Sequence, residues 1–201
     1  PNRDGTKGTG GCTFCNNTSF SPATNKHQDL LNQINQAKVK ISKRTGAKRF
    51  IAYFQAYTNT YADIEQLSAM YRDALQQPGV IGISIGTRPD CVSNQVLDLL
   101  DDIRKEGHEV WLELGLQSAF DETLVKVNRG HTMAEYRDTA LAARRRGIPL
   151  CTHLIIGLPD ENEYHFHASL DAVIDIGVDG LKLHPLHVVK NTMLAYQWRH
   201  G

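Results

Sequence analysis

The chain has 201 residues, enough to bury one sizeable core, so a single domain over residues 1–201 is expected. Its 22 basic and 22 acidic residues cancel, which leaves no global field to draw it onto nucleic acid or a membrane surface. No apolar run approaches the roughly 18 residues that cross a bilayer, and no signal peptide is visible, so a cytoplasmic protein without membrane contact is expected.

The chain opens "PNRDGTKGTGGCTFC", with Cys12 and Cys15 inside a polar, glycine-rich stretch. Cys91 and Cys151 lie far from this pair and from each other, which argues against a disulfide framework and for a reducing compartment. The start on Pro1 suggests upstream sequence. Residues 26 to 44 read as a helix. "RFIAYFQAY" (49–57) reads as a strand, and "DIEQLSAMYRDALQQ" as a helix with Ile64, Leu67, Met70, Tyr71, Ala74 and Leu75 on one face. "VIGISIGT" (80–87) is a near-continuous apolar run, the mark of a strand buried on both faces. A helix follows, with Ser93 as N-cap and Gly107 closing it.

The alternation continues. "EVWLELGL" (109–116) reads as a strand, and "MAEYRDTALAARRRG" as a helix ending on Gly147. "IPLCTHLIIG" (148–157) is the next strand, followed by a helix that ends on Gly177. "DGLKLHPLHV" (179–188) is a fifth strand running into a loop. Such β-α-β-α order predicts a parallel sheet. No GxGxxG follows the first strand, so a barrel or part-barrel is expected rather than a dinucleotide fold. With the chain stopping just after the last strand, the barrel is expected to be incomplete at both ends.

Barrel chemistry sits at the C-terminal ends of the strands. Here those ends offer Gln55, Tyr57 and Thr58; then Thr87, Arg88 and Asp90; then Glu113 and Gln117; then His153 and "GLPDE"; then Lys182, His184 and His187. The glycine-rich cysteine loop precedes the first helix and belongs on the same rim. On spacing alone its CxxC is a zinc half-site, a redox pair or an iron–sulfur half-site.

That loop, with "YFQAYT", "GTRPDCV", "VWLELGLQSAFDETLVKVNRGH", "HLIIGLP" and "GLKLHPLHVVKNT", resembles the radical S-adenosylmethionine (radical SAM) superfamily in its YhcC-like branch. The elongator catalytic subunit and the oxygen-independent coproporphyrinogen dehydrogenase families are similar through "GLQS", "VNRG" and "GLP". The resemblance implies a partial (βα) TIM-type barrel. It implies a radical enzyme whose 4Fe-4S cluster reductively cleaves S-adenosylmethionine to a 5′-deoxyadenosyl radical. It places Cys12 and Cys15 on the cluster, with a first cluster cysteine just before Pro1, so this chain alone is expected to be inactive.

Further roles follow from the resemblance. Phe14 covers the cluster and the adenine edge. Gln55 and Tyr57 stand where relatives carry a glycine-rich turn for the methionine amino group. Relatives place an acidic residue before "TRPD" for the ribose; here it is Gly86, so Thr87 or Glu113 takes that contact. Gln117 and Arg129 match cofactor contacts, with Arg129 suited to the carboxylate. Ile155 and Gly157 lie on the segment that flanks adenine. An electron donor such as flavodoxin or ferredoxin is implied; the substrate is not, with RNA suggested by the elongator relatives.

Other features read as structural. Arg144 to Arg146 cap a helix, and Lys38 to Arg49 form a solvated basic face, RNA phosphate contact being the alternative. His165 and His167 face different ways on a helix; Cys151 reads as a small core residue and Cys91 as a packed loop thiol. The competing readings are a zinc- or thiol-based binding module on a barrel, and a non-catalytic barrel fragment.

Overall fold

The computed structural model describes residues 3–16, 30–55 and 58–200. Helix α1 (Leu30–Thr45) leads into strand β1 (Phe50–Phe54), helix α2 (Ile64–Leu75) and strand β2 (Val80–Thr87). A 3-10 turn (Pro89–Cys91) precedes helix α3 (Asn94–Lys105) and strand β3 (Glu109–Gln117). Helices α4 (Asp121–Lys126) and α5 (Met133–Arg145) follow, then strand β4 (Leu150–Ile156) and helix α6 (Glu163–Ile176). Strand β5 (Gly180–Pro185) and helix α7 (Met193–His200) complete the described residues.

The five strands form one parallel sheet in sequence order, the half-barrel expected of alternating strands and helices. One face of the sheet packs on the helices. Phe54, Ile83, Ile85, Leu112, Leu114, Leu116 and Leu154 meet Leu67, Tyr71, Leu97, Leu100, Tyr136 and Val173 in one apolar core. Burying each such side chain stabilises the fold by about 1.5–3 kcal/mol. Strand alternation sends the intervening residues to the opposite face. There Tyr53, Ser84, Glu113, His153 and Lys182 bond to one another, so the sheet is apolar towards its helices and polar on the other side.

Most element boundaries match the expectation to within a few residues. Ser93 accepts from the Val96 N–H, and Gly177 ends α6 in the left-handed conformation at φ 81°. Three differences stand out. Strand β1 ends at Phe54, where Asn59 Nδ2 donates to the Phe54 and Gly86 carbonyls at 2.9 Å each; of the residues expected to extend it, Gln55 lies outside the strand and 56–57 lie outside the described residues. Helices α4 and α7 are additional. The residues 26–29 expected in the first helix lie outside the described residues.

Candidate functional site

The cysteine loop is built from its own turn outward. The Cys15 N–H donates to the Cys12 carbonyl at 3.0 Å, which folds the CxxC into a single tight turn. Both cysteines are thiols and half-buried. Burial, and then the nearby Cys12, push the Cys15 thiol up. The turn is fixed to the barrel rim from several sides. The Thr13 N–H donates to the Val127 carbonyl, and the Leu194 N–H donates to the Thr13 carbonyl. Asn128 Nδ2 donates to the Thr9 and Gly11 carbonyls at 2.9 and 2.8 Å. The loop therefore sits at the C-terminal end of β3, on the rim where the sequence placed it.

Arg129 joins this loop to the sheet. Its side chain is buried, and Nη1 lies 3.5 Å from Cys12 Sγ. Its Nε and Nη2 donate to the Gly115 carbonyl at 3.2 and 2.6 Å. A Cβ at Gly115 would stand 2.6 Å from Arg129 Nη2 and 2.7 Å from Gln117 Nε2, so the glycine leaves these side-chain ends the room they occupy. The structure thus brings together Cys12, Arg129 and Gln117, from distant parts of the chain. Gln117 has a left-handed backbone at φ 82°, an uncommon conformation for a non-glycine residue. His131 also faces the Gly115 carbonyl, with Nε2 at 3.1 Å. Burial, and then the Arg129 charge, lower its pKa to about 4, so it is neutral at pH 7.

Below this rim lies Glu113. Its Oε2 accepts from Lys182 Nζ at 2.5 Å, from His153 Nε2 at 2.7 Å and from the Tyr53 hydroxyl at 3.1 Å. Its Oε1 accepts from the Ser84 hydroxyl at 2.5 Å. Burial works to raise its pKa, but His153, Lys182 and Ser84 outweigh it and hold the carboxyl at about 2. The Lys182 ammonium also sits 4.4 Å from the centroid of the Tyr53 ring. Sequence reasoning named Glu113, His153 and Lys182 as strand-end residues but missed that they form one network with Tyr53 and Ser84. Alternation along β1 and β2 carried the signal: Tyr53 and Ser84 interrupt apolar runs on the same face.

The other expected residues are placed as follows. Phe14 is half-buried in the CxxC turn, and Gln55 is exposed just past β1. Tyr57 lies outside the described residues. The Thr87 hydroxyl is buried and bonds to Thr60 at 2.6 Å, so it turns away from the Glu113 network. Ile155 is half-buried on β4, and Gly157 follows that strand at φ 85°. Cys151 is buried, but on the polar face beside Glu113 rather than in the helix-side core. His165 serves structure: its side chain completes the capping box of α6 with Asn162. Arg146 pairs with Asp98 at 2.8 Å.

Among the described residues, Glu113, Cys151 and His153 form the one group of three possible metal donors within 4.8 Å of one another. Lys182 already neutralises that carboxylate, so the group is an ion-pair network. Among the described residues, no such group includes Cys12 or Cys15. No helix among them is long and apolar enough to cross a membrane.

The Radical SAM superfamily profile matches residues 5–173, a span running from the cysteine loop into α6. Protein YhcC of Escherichia coli strain K12 is 49% identical over 201 residues, covering 100% of this chain and 64% of that protein. Protein YtqA of Bacillus subtilis is 39% identical over 202 residues, covering 100% of this chain and 62% of that protein. The chain thus spans less than two thirds of the length of these relatives. Among solved structures, Methanocaldococcus infernus Elp3 superposes with a TM-score of 0.69 at 21% identity, covering 83% of this chain and 44% of that one. Escherichia coli coproporphyrinogen III oxidase (HemN) superposes with a TM-score of 0.62 at 23% identity, covering 94% of this chain and 44% of that one. With a half-barrel, a CxxC turn anchored on its rim and a profile match over most of its length, the chain belongs to the radical SAM superfamily, in a YhcC-like branch.

Proposed function

We propose that the chain is the core of an enzyme that uses a 4Fe-4S cluster to cleave S-adenosylmethionine reductively. The observation that carries this reading is the contact between Arg129 Nη1 and Cys12 Sγ at 3.5 Å. It couples the CxxC turn to the strand end where the cofactor's charged groups would bind. The donor set suits the cluster. Two thiols lie on one turn, and the Arg129 guanidinium, with Nη1 3.5 Å from Cys12 Sγ, sets a positive charge beside a loop that would hold a negatively charged thiolate–sulfide group. A third thiolate would be needed to complete the donor set.

Held by Cys12, Cys15 and a further thiolate, such a cluster would supply the single electron that reductive cleavage of the bound S-adenosylmethionine requires. A low-potential electron donor such as flavodoxin or ferredoxin would be its partner. The chain's own residues bind and orient. Arg129 offers its Nη1 edge to the methionine carboxylate, since Nε and Nη2 are held by Gly115. Gln117, beside it, takes a second polar group of the cofactor. Phe14 shields the centre from water, and Ile155 and Gly157 flank the adenine. Gln55 contributes from just past β1, Tyr57 is carried by the family resemblance alone, and Thr87 contributes through its backbone, its hydroxyl being held by Thr60. Glu113, kept ionised by its four partners, accepts from the ribose hydroxyls.

The experiment uses a chain extended upstream to include a cysteine before Pro1, loaded anaerobically with iron and sulfide. With dithionite and S-adenosylmethionine it releases 5′-deoxyadenosine, and the Cys12→Ala variant does not. Equal release from both would reject the reading.

A further inference from the structure

Residues 3–8 fold back on themselves ahead of the CxxC turn. Asp4 Oδ1 accepts from the Thr6 N–H at 3.0 Å and from the Thr6 hydroxyl at 2.6 Å, and the Gly5 N–H donates to the Gly8 carbonyl at 3.1 Å. Gly5 and Gly8, at φ 88° and 147°, make the turn possible and set Lys7 between them. The start of this loop lies over the cysteines. Arg3 Nη2 donates to the Cys15 carbonyl at 3.3 Å, and a Cβ at Gly11 would stand 2.5 Å from Arg3 Cζ.

Lys7 Nζ reaches two carboxylates, Asp90 Oδ2 at 3.4 Å and Glu135 Oε1 at 3.6 Å. They come from different elements, the turn after β2 and the first turn of α5. Each is already oriented by a partner of its own. Arg88 Nε and Nη2 grip Asp90 Oδ1 and Oδ2 at 2.9 Å each. Glu135 Oε2 accepts from the Thr132 N–H at 2.8 Å in the capping box of α5. Acceptors fixed in this way lose little further freedom when an ammonium docks between them. Arg88 neutralises Asp90, and Lys7 offsets the carboxylate that Glu135 adds. The rest of the loop is tied by the Tyr61 hydroxyl, which donates to Thr6 Oγ1 at 3.0 Å, and by Asn128 on Thr9 and Gly11.

We infer that Lys7 is a latch: seated between Asp90 and Glu135, it closes the glycine-rich loop onto the rim and so keeps Arg3 over the turn that carries Cys12 and Cys15. Lys7 is then a positioning residue, acting on the cysteines through the loop. A closed loop shields the thiols from solvent, and with it any cluster they hold; that last clause rests on the iron–sulfur reading above.

The test is alkylation of the unloaded chain by N-ethylmaleimide, a neutral reagent, followed at each cysteine by peptide mass spectrometry. Lys7→Ala is expected to raise the rate at Cys12 and Cys15 about threefold, the scale of a partly exposed ion pair, while Cys151 keeps its rate and reports an intact fold. Loss of a positive charge by itself disfavours thiolates and slows alkylation, so a rise reports opening. Lys7→Arg keeps the ion pairs and should restore the wild-type rate. The Lys7 side chain is 39% exposed, so salt should reach the latch. Raising ionic strength from about 0.05 M to about 1 M should speed the wild-type reaction and leave Lys7→Ala as it is. An unchanged rate in Lys7→Ala, or a rise shared by Cys151, overturns the latch. None of these outcomes depends on a cluster. Full iron content in Cys12→Ala and Cys15→Ala of the cluster-loaded, upstream-extended chain would instead overturn the iron–sulfur reading and leave the latch standing.

Discussion

Glu113 carries more partners than any other acidic side chain on the polar face of the sheet. Its carboxyl lies at about 2 in the folded chain, against an ordinary value of 4.5. The depressed value means stability that is present above the ordinary pKa and is lost as pH falls through the folded one. The window is therefore roughly pH 4.5 down to pH 2. A shift of this size corresponds to about 3 kcal/mol at pH 7, shared with Lys182 rather than added to it. Glu113→Gln is expected to lower stability by that order at pH 7 and to flatten the acid limb between pH 4.5 and 2. Urea unfolding at pH 7 and pH 3 checks both; an unchanged acid limb would show that the network does not hold the charge. The sequence made Glu113, His153 and Lys182 visible as polar residues at strand ends. It could not pair them, because alternation fixes which face a side chain takes and not which neighbour it meets across two strands. The seat of Lys7 was hidden for the same reason, since it depends on how Asp90 and Glu135 come together.

Between β3 and α5, the short helix α4 and the residues after it bring Arg129 back over the end of the strand it has just left. The Arg129 N–H donates to the Leu124 carbonyl, and Gly115 leaves the space for the guanidinium. Arg129→Lys keeps the charge but cannot reproduce the fork that spans the Gly115 carbonyl and Cys12 Sγ. A charge-assisted hydrogen bond contributes about 1.5–3 kcal/mol, which is about ten- to a hundredfold in affinity. In the cluster-loaded, upstream-extended chain, Arg129→Lys is therefore expected to bind S-adenosylmethionine at least tenfold more weakly. A titration followed by cluster absorbance or EPR reads the affinity, and wild-type affinity would remove Arg129 from the carboxylate. Elements with a strong period were legible: α3 appears with its Ser93 cap, α3, α5 and α6 are closed at Gly107, Gly147 and Gly177, all at positive φ, and β2 appears at its full length, whereas the N-caps Thr132 and Asn162 were not read. Helix α4, six residues long without a side-chain N-cap bond, gives no period to read. Helix α7 follows a proline-containing strand end, and half or more of Met193, Tyr196 and Trp198 is solvent-exposed, so no buried stripe marks it.

For the molecule as a whole, strict alternation of strands and helices made the parallel sheet legible, and the strand ends named the rim. The cysteine loop's position was legible too, because it precedes the first helix, but its anchoring through Asn128 and Arg129 was not. Those contacts join residues more than a hundred positions apart. The account's central claim is that Cys12 and Cys15 hold an iron–sulfur cluster on this rim. The direct measurement is iron, sulfide and visible absorption after anaerobic reconstitution of the upstream-extended chain and its Cys12→Ala and Cys15→Ala variants. The account predicts an oxygen-sensitive brown protein whose visible absorption disappears in each variant while the fold, read by circular dichroism, is kept. Full iron and sulfide in both variants would contradict it.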